Sequence, residues 1–238
     1  MKRRSLKKEM MDGPLDNPEI LYQNLGEIRF INKLTALYSL QFNEIRRLIP
    51  RSLERVEIVD IGCGGGDFLH YLHNQRKHLP KNTILSGLDN EPEALKYAHQ
   101  KFPQLKHTVN WQCQDYKSWL EDDQKTDIIC CNLFCHHLND DDIANLLEKA
   151  SKKARLGLII NDLHRHPIAY YSIKLLTRLF SSSAYTKNDA PLSVLRSFTR
   201  KDWKKFIDST ENKGDAYVWE VKWLPTFRYL VSGRNTSI

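Results

Sequence analysis

Two apolar patterns divide the chain. Up to about position 50, apolar residues recur at helical spacing; beyond it, short apolar runs of strand length alternate with amphipathic stretches of helix length. Repeated alternation of strand and helix predicts right-handed crossovers and a parallel sheet. The predicted strands are 57–61, 83–88, 109–113, 126–134 and 156–162, with a final pair at 216–223 and 226–233. The predicted helices after the first strand begin near Phe68 and cover 93–101, 141–152, 167–180 and about 199–208.

The N-terminal part predicts a helical cover. Leu25, Ile28 and Ile31 recur at helical spacing, and further apolar residues continue the pattern to Pro50. Such a cover packs on the sheet or closes a pocket, and periodicity indicates only a buried face. The resulting division is a basic tail and helical cover at 1–52, followed by a single domain at 53–238. Within this domain we expect a helical insert at about 164–198 with a polar loop at 181–191.

A glycine turn follows the first predicted strand, in the run VDIGCGGGDF at 59–68. Gly62, Gly64 and Gly66 allow the backbone to approach a ligand closely, and the following helix offers free N–H groups. A dinucleotide fold requires G-x-G-x-x-G, but the third glycine position is Asp67. Asp60 at the strand end would repel a pyrophosphate and attract an ammonium group. The turn therefore predicts a ligand with cationic and anionic groups close together, as in an amino acid.

This run resembles the first motif of class I S-adenosylmethionine-dependent methyltransferases, and the resemblance extends over about 56–231. It implies an α/β fold with a doubly wound, mostly parallel seven-stranded sheet and a closing antiparallel hairpin. It also implies S-adenosylmethionine as cofactor. In that family the glycine turn holds the methionyl part, an acid after the second strand binds the ribose, and an acid after the third meets the adenine. The cofactor positions implied here are Asp60, Gly62, Gly64, Gly66, Asp89, Asn90, Asp115, Tyr116 and Asn132.

Each of these positions also has a purely structural explanation. Glycines after a strand often serve only a tight turn, and Asp89 before Glu91 and Pro92 suits a helix N-cap. Acids after three successive strands, together with the glycine turn, make the cofactor interpretation the better one.

The charge and composition bear on partners and location. The net charge is +7, and residues 1–11 carry Lys2, Arg3, Arg4, Lys7 and Lys8 against Glu9, so most of the excess lies in that tail. We expect a solvated, mobile N-terminus and no nucleic-acid partner. No apolar run approaches the roughly 20 residues of a membrane span, and the start has no signal-peptide pattern. These features predict a cytoplasmic protein.

Histidines are the candidate catalytic groups, and a metal site is not expected. The five cysteines form no C-x-x-C pair, and neighbouring residues on a strand such as Cys135 and His136 point to opposite faces. A sulfonium methyl group needs alignment with its acceptor, and a phenolic acceptor also needs a base. The histidines after the fourth and fifth strands suit that role, although each could simply donate to a nearby carbonyl. The candidates are His136, His137, His164 and His166, of which His137 and His164 are our choice.

The acceptor class is narrowed by missing motifs. The stretch Asn132–Cys135 lacks the N-P-P-Y type loop of adenine-N6 and glutamine methyltransferases, and Cys130 and Cys131 lack the setting of a catalytic cysteine for RNA cytosine. The stretches LGEIRFINKL, NDLHRHP and DAPLSVLRSFT are similar to small-molecule methyltransferases found with type III polyketide synthases. We therefore expect a methyltransferase acting on a small phenolic, polyketide or quinone-like acceptor. The alternatives are an RNA or protein methyltransferase and a non-catalytic cofactor-binding module; the oligomeric state is left open.

Overall fold

The computed structural model of the protein describes residues 1, 3–13, 17–34, 37–211 and 217–237. Residues 14–16, 35–36 and 216, which fall in predicted elements, lie outside that description. The described strands form one seven-stranded sheet in the order β3-β2-β1-β4-β5-β7-β6. The strands are β1 (Arg55–Ile61), β2 (Asn82–Asp89), β3 (Val109–Cys113), β4 (Thr126–Asn132), β5 (Ala154–Leu163), β6 (Tyr217–Leu224) and β7 (Arg228–Asn235).

Strands β1 to β5 pair in parallel, whereas β7 runs antiparallel between β5 and β6. The predicted mostly parallel sheet with a closing antiparallel hairpin is therefore confirmed. Helices connect the parallel strands and cover both faces of the sheet. The helices are α1 (Pro18–Leu34), α2 (Leu37–Leu48), α3 (Asp67–Asn74), α4 (Pro92–Lys101), α5 (Tyr116–Glu121), α6 (Asp140–Lys153), α7 (Pro167–Phe180), α8 (Ala184–Arg196) and α9 (Arg200–Glu211).

Two apolar cores lie on opposite faces of the sheet. Helices α2, α3 and α4 pack on one face, and α5, α6 and α9 pack on the other. The central strands supply both cores by alternation: on β4, Ile128 and Cys130 face the first, while Ile129 and Cys131 face the second. A strand buried on both faces needs a continuous apolar run, which explains the sequence of β4. No helix among the described residues combines the length and apolarity needed to cross a bilayer.

The prediction of a polar loop at 181–191 is wrong, because this stretch begins α8. The Ser183 side chain caps the helix by accepting a hydrogen bond from Thr186 N. Several polar side chains of α8 and its N-cap are buried, and they form hydrogen bonds with residues from other parts of the chain. Ser183 and Thr186 both donate to Asn24 Oδ1 at 2.7 Å, and Ser193 Oγ donates to Glu9 Oε1 at 2.8 Å. Polar composition therefore concealed a helix whose buried face is held by hydrogen bonds.

The expectation of a mobile N-terminal tail is also wrong for the described residues 1 and 3–13; Lys2 lies outside them. The Arg4 guanidinium donates to the backbone oxygens of Arg196 and Leu138 and to Asp140, and it lies 4.4 Å from the Phe198 ring centroid. These contacts dock the basic segment onto the body of the protein.

The carboxylate of Asp189 anchors the same segment to α8. It is buried and accepts hydrogen bonds from Met10 N at 2.8 Å and Met11 N at 3.0 Å. We expect Asp189→Ala to lower the free energy of unfolding by about 1–3 kcal/mol, since two amides lose their acceptor. It should also expose residues 1–13 to limited proteolysis. Exposed Asp123→Ala is the matched control for urea denaturation, and equal losses in the two variants would contradict this role.

Candidate functional site

A cavity of about 770 Å³ opens at the carboxyl edge of the sheet, where β1, β2, β3 and β4 end. The residues that follow these strands form one side of it, and α1, α7, α8 and the N-terminal segment form the other. Ligands of open parallel sheets bind at this edge. The volume lies within the roughly 300–1,000 Å³ of small-molecule sites.

The glycine bend after β1 adopts the left-handed conformation at three positions. Gly62, Gly64 and Gly66 have φ of 68°, 49° and 73°, values that other L-residues rarely adopt. Space is restricted as well: a Cβ atom on Gly62 would lie 2.4 Å from the Phe134 ring, and one on Gly66 would lie 2.6 Å from the Trp111 ring. Gly62 and Gly64 line the cavity, whereas Gly66 is packed behind the bend and is the N-cap of α3.

The bend is tied to the end of β2. Gly64 N donates to Asp89 Oδ2 at 2.7 Å, and Glu91 N donates to Asp89 Oδ1 at 3.0 Å. Burial raises the pKa of Asp89, while these backbone donors oppose the shift. Two fixed amides therefore set the orientation of this carboxylate, which lines the cavity beside Asn90.

The other two acids occupy different environments. Asp60 is buried, and burial raises its pKa well above the usual range although Asn132 Nδ2 donates to its Oδ1 at 2.9 Å. Asp115 is exposed and caps α5 by accepting from Lys117 N at 2.8 Å. Both acids line the cavity, as do Tyr116 and Asn132. With the glycines and Asp89 and Asn90, eight of the nine expected cofactor positions meet at one cavity, Gly66 being the exception.

Two buried polar atoms on this side have no protein partner in the described part of the chain. They are Asn132 Oδ1 and Tyr116 Oη. Because buried polar groups are normally paired, both atoms are suited to a ligand in the cavity. Asn132 Oδ1 requires a donor, and its neighbour Asp60 favours a cationic one.

Sequence reasoning did not identify Arg228 on β7, which also lines the cavity. Its side chain is buried, Nη2 donates to Asn32 Oδ1 at 3.0 Å, and Nη1 has no partner among the described residues. Burial lowers the pKa of Arg228 to about 10. Asn32 Nδ2 donates to Tyr38 Oη at 3.0 Å, and Tyr38 donates to Asp67. This chain of hydrogen bonds leaves one guanidinium nitrogen free for an anion.

The histidine best positioned for catalysis is His136. Its Nδ1 is 2.8 Å from Asp162 Oδ1, and its backbone N donates to Asp162 Oδ2 at 3.1 Å. Burial would raise the pKa of Asp162, but its interaction with His136 and these hydrogen bonds hold the pKa below the usual value. A carboxylate on Nδ1 orients the ring and leaves Nε2 to act as a base. His136 is one of the four sequence candidates but not one of the two preferred there, which are His137 and His164.

The two chosen histidines lie in different places. His137 lines the cavity, is partly exposed and has Nδ1 2.8 Å from Asp12 Oδ1. His164 is not among the described residues that line the cavity; Trp223 Nε1 donates to its Nδ1 at 3.1 Å. The position of His164 favours the other histidines as the base, and His137 stays a candidate.

Glu9, His136 and His137 bring possible metal-ligand atoms within 4.8 Å of one another. Both imidazoles pair Nδ1 with a carboxylate and keep Nε2 available, which is common for metal-bound histidines. However, Arg196 Nε lies 3.8 Å from Glu9 Oε1, and its positive charge opposes a second cation there. Burial raises the pKa of Glu9, which disfavours the charged form of this carboxylate. We therefore keep the prediction of a metal-free site.

Residues 58–157 match the family model described as a methyltransferase domain. The chain is also 32% identical over 89 residues to the ubiquinone biosynthesis O-methyltransferase of Coxiella burnetii (strain RSA 493 / Nine Mile phase I). That alignment covers 37% of this chain and 36% of the relative, so the chain spans about a third of the length of the curated relatives it matches.

Solved structures resemble the protein over most of its length. The plantazolicin methyltransferase BpumL in complex with S-adenosylhomocysteine (SAH) gives a TM-score of 0.64 at 19% identity, covering 92% of this chain and 89% of that one. The magnesium protoporphyrin IX methyltransferase ChlM of Synechocystis PCC 6803 with bound SAH gives 0.53 at 14% identity, covering 94% and 90%. The protein has the class I methyltransferase fold, as predicted. Its association with type III polyketide synthases stays a prediction.

Proposed function

We propose that the protein is an S-adenosylmethionine-dependent methyltransferase whose acceptor is a small phenolic, polyketide or quinone-like molecule. The observation that carries the proposal is the meeting of eight expected cofactor positions at one cavity of this fold. The match of residues 58–157 to a methyltransferase domain supports the same activity.

The residues on the cofactor side fit a nucleoside with an amino-acid arm. An ammonium group would satisfy Asn132 Oδ1 and favour the charged form of Asp60, whose pKa is raised by burial. A carboxylate would pair with Arg228 Nη1. Asp89 would accept ribose hydroxyl groups, and Asp115 would face the adenine amino group. S-adenosylmethionine carries all of these groups and, when bound, supplies a methyl group already activated for transfer.

On the acceptor side, the chain supplies a base and apolar walls. Asp162 orients His136, and the Nε2 atom of His136 would accept the proton of a phenol. Side chains of α1, α7 and α8 would enclose the acceptor and exclude water, among them Ile28, Ile173 and Val194. A mainly apolar wall with few polar groups suits an aromatic or lipid-like molecule better than a nucleic acid. Arg4 of the basic N-terminal segment also does not favour a nucleic-acid partner, because its guanidinium is already paired within the protein.

The cofactor assignment predicts the effect of Asp89→Asn on SAH binding. This variant keeps the shape of the side chain but weakens its acceptance of hydroxyl and amide hydrogen bonds, so affinity should fall by about 1–3 kcal/mol. Isothermal titration calorimetry measures the change, with Asp123→Asn as the exposed control and urea denaturation to verify folding. An unchanged affinity in a folded Asp89→Asn protein would contradict the assignment.

The catalytic assignment predicts different outcomes for two histidines. His136→Ala should lower methyl transfer from labelled S-adenosylmethionine to a panel of phenols roughly 10²–10⁴-fold, with SAH affinity nearly unchanged. His164→Ala should retain most activity, because His164 lies outside the cavity lining.

Three results would contradict this account. If His164→Ala lost the activity and His136→Ala kept it, the base would be misassigned. Activity abolished by a chelator and restored by a divalent cation would instead indicate a metal at Glu9, His136 and His137. Cofactor binding with no transfer to any phenol or quinone precursor would favour a non-catalytic module or another acceptor class.

A further inference from the structure

Helix α7 exposes an unusual number of large apolar side chains. Six of them are between 51% and 80% exposed, although the opposite side of the helix is packed against the protein. With about 100° of rotation per residue, Ile168, Tyr171, Leu175 and Leu179 form one stripe along the helix. The remaining two, Leu176 and Phe180, widen it on one side. We call these six residues the α7 stripe.

Helix α7 itself carries only positive charge, and Glu27 of α1 reaches its C-terminal end, where it accepts a hydrogen bond from Ser181 Oγ at 2.7 Å. Residues 163–188 contain no Asp or Glu. Lys174 and Arg178 are exposed on the flank opposite Leu176, and neither forms an ion pair with another described side chain. Exposed Lys187 lies nearby on α8. An apolar stripe with a cationic flank has the two features by which amphipathic helices bind anionic bilayers.

We infer that the α7 stripe docks the protein in the plane of an anionic lipid membrane. The 14 residues of α7 extend about 21 Å, less than the roughly 30 Å of a bilayer core, so the helix lies at the interface. The apolar side chains enter the lipid, while Lys174 and Arg178 contact lipid phosphates. This docking does not depend on methyl transfer.

The same helix forms part of the cavity wall, which links docking to the acceptor. Ala169, Ser172 and Ile173 line the cavity from the side of α7 next to the stripe. Leu176 belongs to both, since it is 51% exposed and also lines the cavity. A lipid-like acceptor could therefore pass from the bilayer along Leu176 into the site. This route, unlike docking itself, rests on the proposed function.

A second copy of the chain is a less suitable occupant. A two-fold symmetric dimer through the stripe would bring Lys174 and Arg178 of each subunit toward the same patch of the other. Residues 163–188 have no acid to compensate that repulsion. An anionic surface, in contrast, offers opposite charge along the whole flank.

Vesicle flotation with the full chain tests the inference. The protein should float with vesicles containing phosphatidylglycerol, should bind pure phosphatidylcholine much less, and should release as salt is raised. Leu175→Glu should reduce vesicle binding at least about tenfold, since it replaces an apolar side chain that would enter the lipid by a charged one. Val218→Glu is the matched control on β6, where Val218 is 61% exposed, and should bind as the original protein does. SAH affinity should be the same in all three proteins.

Two outcomes would overturn the inference. One is failure of the folded original protein to bind phosphatidylglycerol vesicles at low salt. The other is a dimer by light scattering that Leu175→Glu converts to monomer, which would assign the stripe to a second copy. Vesicle binding needs no cofactor or acceptor, so the two proposals can fail separately. If the protein binds SAH but not vesicles, only the membrane-docking inference fails. If it binds vesicles but transfers no methyl group, only the proposed function fails.

Discussion

The hydrogen bond from Gly64 N to Asp89 Oδ2 connects the two strand ends on which the site is built. It forms because three left-handed glycines turn the chain sharply after β1 and bring its amides to the end of β2. Gly62 N and Cys63 N make the same connection by donating to Leu88 O at 2.8 and 3.0 Å. The bend and Asp89, the acid that we propose binds the ribose, are thus held together as one unit.

One buried acid and one buried arginine lie near this unit, and both are incompletely paired among the described residues. Asp60 is buried with one amide donor, and Arg228 is buried with one nitrogen unpaired among the described residues. Leaving such groups unpaired costs free energy in the absence of ligand. A zwitterionic arm would satisfy both, so its binding should also stabilise the fold. The acceptor side is different: there Asp162 orients His136 within mainly apolar walls.

The glycine turn, the succession of strands along the chain and the acids at the strand ends were predictable from the sequence, because each depends on local backbone geometry and on burial of whole strands. Features that depend on contacts between residues far apart in the sequence could not be predicted. Polar α8 is a helix because Asn24 and Glu9 pair with its side chains, and no local pattern indicates that pairing. The basic N-terminal segment docks for the same reason.

Two residues of the site were also beyond the reach of local patterns. His136 is oriented for catalysis by Asp162, which is 26 positions away in sequence, so the sequence did not favour it over His137. Arg228 gave no signal, since a lone arginine on a strand is usually solvated.

As proposed, this cavity recognises a nucleoside through both ends of an amino-acid arm. Calorimetry can compare SAH with 5′-methylthioadenosine, which lacks that arm, in the original protein and in Arg228→Met. The original protein should bind SAH at least about tenfold more tightly than methylthioadenosine, and Arg228→Met should lose most of this preference while keeping its affinity for methylthioadenosine. Equal affinity of the original protein for the two ligands, or an undiminished preference in Arg228→Met, would contradict recognition of the arm.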